Sequence, residues 1–291
     1  YYRLRELLPI WIIPMRSLYD FKPVQMFDLM ICDEASTSDV KDTLILNLTK
    51  RAMIIGDPEQ VTPIKIGVNV DGISAIQSQF LAGFEEKNLY DESTSLFNIA
   101  AMNVNSIMLR RHYRCHPSII KLSNELSYNG SLIPVKPSLS LLDPVIDIKV
   151  DDGEKKSNNV NAVECDTVIS IVKELIAEAK YDGLTIGIIS LKGANQAKTI
   201  QRKLLSAVSL SDIEKHKIIS ENVSSFQGLE RDVIIISCVD SAEDDEILRL
   251  EGKKADNPFK KRLNVAFSRG KKQIFVIHSY DKNNLDIDDL R

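Results

Sequence analysis

The sequence predicts an α/β protein with two parallel-sheet domains, and three observations carry that expectation. Short apolar runs rich in Ile, Val and Met alternate with segments of helical period, the pattern of sheets covered by helices on both faces. The greasiest runs, such as Val233 to Ile236, are strand-sized, far below the ~18 apolar residues of a membrane helix. A length of 291 residues suits two domains of ordinary size.

Taken in order, the runs Leu29 to Cys32, Ala52 to Ile55 and Ser106 to Leu109 read as strands of the first domain. A helix from Asp39 to Leu48 should follow the first strand, capped by Ser38 or Asp39, whose side-chain oxygen can take an orphan amide. Residues 64 to 105 are less regular, interrupted by Gly67, Gly72 and Gly83. Trp11, the single tryptophan, is expected in the core or on a buried helix face. Beyond Arg110 the chain turns basic and runs into a helix around Pro117 to Tyr128. Prolines mark Pro134 to Pro144 as a connector, and 151 to 159 as a polar loop. Val163, Thr167, Ile171 and Leu175 form one stripe of an amphipathic helix. Strands at Leu184 to Ser190, Ile218 to Val223, Val233 to Val239 and Gln273 to His278, with a helix at Ala194 to Ala207, complete a second sheet.

Composition narrows function. Lys plus Arg is 37 and Asp plus Glu 41, a net charge of −4, which excludes polyanion binding by bulk charge and leaves a local groove. Mean hydropathy is −0.10. Four widely spaced cysteines without a CxxC pair suggest neither a disulfide framework nor a zinc ribbon, so an intracellular compartment, cytoplasmic or nuclear, and no membrane are expected.

The chemistry sits in five blocks. An apolar strand ends in Asp33-Glu34-Ala35-Ser36, two adjacent carboxylates at the rim where α/β sheets bind ligands. One carboxylate there can hold Mg²⁺ while the next orients a water. Twenty-four residues on, a second strand ends in Gly56-Asp57-Pro58-Glu59-Gln60. A glycine lets the backbone approach a phosphate, and an amide reads a phosphate oxygen without adding charge. Taken alone, the first block is equally a solvated pair beginning a loop, and the second is simply a turn. The others are Leu109 to Pro117, Val223 to Asp232 and Arg262 to Lys272.

In this order the blocks closely resemble motifs II to VI of superfamily 1 helicases, in the 5′-to-3′ branch related to nonsense-mediated-decay and replication-associated helicases. The resemblance spans residues 27 to 278. It implies two RecA-like domains, 1–111 as the end of the first motor domain and 112–291 as the second, binding ATP, Mg²⁺ and single-stranded DNA or RNA. Asp33 would coordinate Mg²⁺, Glu34 would position the attacking water, and Gln60 would sense the γ-phosphate. Arg114 and Arg269 look like the two arginines that meet the transferring phosphoryl group. Gly56 and Asp57, with Gln227, Gly228 and Glu230, would contact the nucleotide.

One departure is large: no Gly-x-x-x-x-Gly-Lys-Ser/Thr occurs in the 291 residues. The first domain is therefore expected to be incomplete at its N-terminus, with the phosphate cradle in a preceding part of the same polypeptide and little ATPase activity in this chain alone. A binding scaffold that keeps the motor fold without the activity is the alternative. Gly193 to Thr199 imitates a cradle but reads as a helix start. His112, Cys115 and His116 lack the partners of a metal site. Lys260-Lys261-Arg262 and Lys271-Lys272 fit a phosphate-backbone path or a solvated face equally well, and Glu243 to Glu246 reads as an exposed acidic loop.

Overall fold

The computed structural model describes residues 7–20, 26–60, 70–87, 90–91, 94–241, 257–281 and 285. The acidic run at 243–246 and Gly67 lie outside the described residues. Contacts divide the chain into two units, one of Tyr1–Pro58 and Thr62–Ile107, the other of Glu59–Val61 and Met108–Arg291.

In the first unit, strands β1 (Met30–Cys32) and β2 (Ala52–Ile54) pair in parallel, with Ile31 opposite Met53. Between them runs the expected helix, Val40–Leu48, of 3₁₀ type; Thr43 donates its hydroxyl to the Val40 carbonyl three residues back. Asp39 is its cap, accepting from Lys41 N, while the Asp42 carboxylate accepts from Asp39 N. Helices α1 (Val70–Phe80) and α2 (Leu96–Asn103) fall in the stretch that reads as irregular. The small core comprises Cys32, Ala35, Ile45 and Leu96. Trp11 is only half-buried and outside any helix, its indole N–H donating to Leu8 O and its ring 6.5 Å from that of Phe27. Apolar character alone did not place it in the core.

The second unit begins with a short parallel pair, β3 (Arg111–His112) and β4 (Ile133–Pro134), flanking helix α3 (Pro117–Ser127). The expected strand at 106–109 is absent: Ile107 and Leu109 are exposed and find no partner strand. Five parallel strands follow, β5 (Val145–Lys149), β6 (Ile186–Ser190), β7 (Ile219–Asn222), β8 (Arg231–Ser241) and β9 (Gly270–Ser279). Their order is β5-β9-β8-β6-β7. Strand β5 escapes the sequence reading because it emerges directly from the proline-marked connector.

Side chains alternate between the two faces of this sheet. Ile186, Ile188, Val233, Ile235 and Ile277 pack under α4 (Ala162–Ala177) and α5 (Ala194–Ala207). Ile189, Ile234, Ile236 and Ile274 pack under α3 and a helix at Pro258–Ser268. That last helix, α7, and the short α6 (Leu210–Lys215) were not expected. Burial on both faces explains why these strands read as unbroken apolar runs. Gly187 is required because a Cβ there would lie 2.5 Å from the Phe226 ring. No described helix is long and apolar enough to cross a membrane.

Candidate nucleotide site

In the first unit the structure places Asp33 and Glu34 just beyond the carboxyl end of β1, both exposed. Glu34 has a left-handed backbone, φ +53, and its N–H donates to Asp33 Oδ1 at 2.9 Å. This sharp turn aims two carboxylates outward at a strand end, a donor set that fits a hard divalent cation. Gly56 and Asp57 follow β2. A Cβ on Gly56 would lie 2.5 Å from Ser36 Oγ and 2.7 Å from the Phe97 ring, so only glycine lets the two strand ends meet. Ser36 Oγ accepts from Asp57 N at 2.6 Å, and Ser38 Oγ from Leu96 N at 2.9 Å. Both serines lie in or beside the block that carries the carboxylates; Ser36 ties it to the next block and Ser38 to the start of α2.

The other predicted residues gather in the second unit, at the amino edge of the five-stranded sheet. Glu230 and Arg269 immediately precede β8 and β9, whose first residues, Arg231 and Gly270, are paired. Arg269 is 2% exposed. Its guanidinium donates to Val265 O at 3.3 Å and to Gln60 Oε1 at 3.1 Å. Gln227 Nε2 lies 3.5 Å from the same Gln60 oxygen. Arg114 donates through Nε to Glu230 Oε2 at 2.7 Å and through a terminal nitrogen to Ser268 O at 3.2 Å. Lys271 Nζ reaches Glu230 Oε1 at 2.6 Å. These two cations hold the Glu230 carboxyl below the usual carboxylate range, the Lys271 bond most strongly. Gly228 has φ +79 with open space around its missing side chain.

Two further residues hold Glu59, the neighbour of Gln60. Asn264 Nδ2 donates to Glu59 O at 3.0 Å, and Lys260 pairs with Glu59 Oε2 at 2.8 Å. Sequence reasoning assigned neither role, although Asn264 stands inside the last block. The basic clusters are thus largely paired: Lys260 with Glu59, Lys271 with Glu230, and Lys272 with Asp232 at 3.5 Å. His112 Nε2 accepts from Cys115 N at 3.0 Å, and burial first, then Arg114 and Lys136, push its pKa down to about 4. His116 caps α3, its Nδ1 accepting from Ser118 N. Gly193, φ +73, stands as N-cap of α5, so its block begins a helix.

A parallel sheet with helices on both faces, Glu230 and Arg269 before two adjacent strands and five ordered blocks define the class: a superfamily 1 helicase motor region. The chain belongs to the AAA domain family, whose model matches residues 92–281. Among curated relatives it is 26% identical over 265 residues to the 5′-3′ DNA helicase ZGRF1 of Mus musculus, covering 87% of this chain and 13% of that protein. It is 29% identical to the putative helicase mov-10-B.1 of Danio rerio, over 88% of this chain and 28% of the relative. Probable helicase senataxin of Mus musculus is 28% identical, over 86% of this chain and 9% of the relative. The chain therefore spans a minor part of each relative. Among solved structures, that of the PRRSV helicase aligns with a TM-score of 0.42 and 14% identity, over 90% of this chain and 36% of the other.

Proposed function

We propose that this chain is the motor portion of an ATP-dependent DNA or RNA helicase or translocase, with residues 1–111 closing the first motor domain and 112–291 forming the second. The observation that carries the reading is the cluster before β8 and β9, where Arg269, Gln60 and Gln227 share one oxygen and Arg114 and Lys271 share one carboxylate. Every relative named above is called a helicase, which does not favour the scaffold alternative.

In this reading Asp33 holds Mg²⁺, which when bound would neutralise phosphate charge. Glu34 orients the attacking water, with Gly56 and Asp57 beside it. Arg114 and Arg269 meet charge developing on the phosphoryl oxygens. A planar guanidinium does this bidentately, and such fingers contribute about 10³ to 10⁵ in rate. Gln60 accepts from Arg269 in this structure and carries the state of the phosphate to the strand-binding surface. Gln227, Gly228 and Glu230 border the nucleotide, and the Glu230 carboxylate keeps Arg114 ordered before the phosphate arrives. Strand binding rests on backbone charge and base stacking, so it weakens with salt and discriminates sequences little.

The face of β1 and β2 that the described residues leave open, with Leu29, Ile31, Met53 and Ile55 exposed, is where further strands and helices of the same polypeptide would pack. The test is Glu34→Gln in the full-length polypeptide. ATP turnover should fall at least a hundredfold with ATP binding retained; unchanged turnover would remove the water-positioning role.

A further inference from the structure

Lys136 belongs to none of the five blocks, yet it lies at the centre of the contacts that hold Arg114. The parallel register of β3 and β4 sets Arg111 opposite Ile133 and His112 opposite Pro134. The bond from Val135 N to His112 O extends the pairing, and the same offset of 22 residues brings Lys136 alongside Arg114. The Lys136 ammonium donates to Arg114 O at 2.9 Å and to Lys271 O at 3.1 Å. Those are the backbones of the two residues whose side chains grip opposite oxygens of Glu230. The contacts close a ring: Arg114 side chain, Glu230, Lys271 side chain, Lys271 backbone, Lys136, Arg114 backbone. His116 N donates to the same Lys271 carbonyl at 2.9 Å, which fixes the far side of the segment.

From this ring we infer that Lys136 is a positioning residue for Arg114 and Lys271, setting the backbone from which Arg114 reaches the phosphoryl group and Lys271 holds Glu230. An ammonium suits the task because its donors can serve two carbonyls, and its charge needs no carboxylate that would compete for Arg114. Ring closure fixes Arg114 before the reaction, the preorganisation on which electrostatic catalysis depends. The inference rests on the phosphoryl-contacting role proposed for Arg114, and the test separates the two.

In the chain labelled with ¹⁵N-arginine, hydrogen exchange of the Arg114 Nε–H should be slow, because Glu230 accepts that proton. Lys136→Met should accelerate this exchange at least tenfold with the circular dichroism spectrum unchanged, whereas Lys136→Arg, which keeps the donors, should restore slow exchange. In the full-length polypeptide Lys136→Met should lower kcat for ATP about tenfold to a hundredfold and leave KM within about twofold. Unchanged exchange and kcat in Lys136→Met, or a change in melting temperature alone, overturns the inference. Normal turnover in Arg114→Ala would instead overturn the role of Arg114, and the exchange measurement would still decide whether Lys136 braces it.

Discussion

The two edges of the five-stranded sheet are built on opposite principles. At the amino edge, Arg114 and Glu230 stay 35% and 40% exposed and meet through single contacts. Ion pairs of that kind are worth about 0–1 kcal/mol, so an incoming phosphate can displace them. At the carboxyl edge the polar groups are sealed. Glu164, on the first turn of α4, is 0% exposed and accepts from Ser237 Oγ at 2.6 Å, Val239 N at 2.9 Å and Ser279 Oγ at 3.0 Å. These bonds clamp β8 where its register with β9 shifts between Ser237 and Ser241 and where Val239 takes φ +72, a costly conformation for a β-branched residue. The same bulge presents buried Asp240 to Lys192 at 2.6 Å and Lys155 at 2.9 Å. One edge is made for exchange and the other for permanence, although the same strands supply both.

The largest effect on stability should come from breaking the permanent edge. Glu164→Ala leaves the Val239 N–H without its acceptor and releases the clamp on a strained bulge, so urea unfolding should show a loss of about 3 kcal/mol or more. Arg114→Ala at the exchangeable edge should cost under about 1 kcal/mol in the same assay. Equal losses would erase the contrast.

A smaller, signed effect concerns pH. Burial pushes the Glu164 carboxyl up to about 7, with Asp240 adding to the rise. The folded state thus holds a proton that the unfolded chain releases near 4.5, and stability falls as pH rises through that window. His112 acts the other way. Its pKa, lowered to about 4, means that stability is present above 6.5 and lost as pH falls toward 4. Between pH 4.5 and 6.5 the two slopes oppose, so unfolding free energy should be nearly flat. Glu164→Gln removes one of them and should expose a rise of stability with pH, smaller than about 1.4 kcal/mol per unit because His112 is only partly buried. A flat profile in that variant would show that His112 is not held neutral.

How much of this was legible in the sequence follows the same division. Helix α5 begins and ends where the residues said it would, because Gly193 breaks the backbone before an amphipathic run. The central strands were legible because burial on both faces leaves unbroken Ile and Val. Ser106 to Leu109 misled by showing the same composition without a neighbour to pair with. Helix α7 was hidden because its Lys and Arg residues read as a charged block; on the folded chain Lys260 pairs with Glu59, 201 residues away. Asp33, Glu34, Gln60, Arg114 and Arg269 stood out through local blocks. Lys136 did not, since its two carbonyl partners are recognised only once β3, β4 and β9 are in place.

The central claim is that Arg114 and Arg269 serve the transition state rather than nucleotide binding. ATP hydrolysis and ATP affinity measured side by side for Arg269→Ala in the full-length polypeptide test it most directly. The account predicts that kcat falls about 10³-fold while the nucleotide Kd shifts no more than about threefold. A loss of affinity as large as the loss of turnover would contradict it.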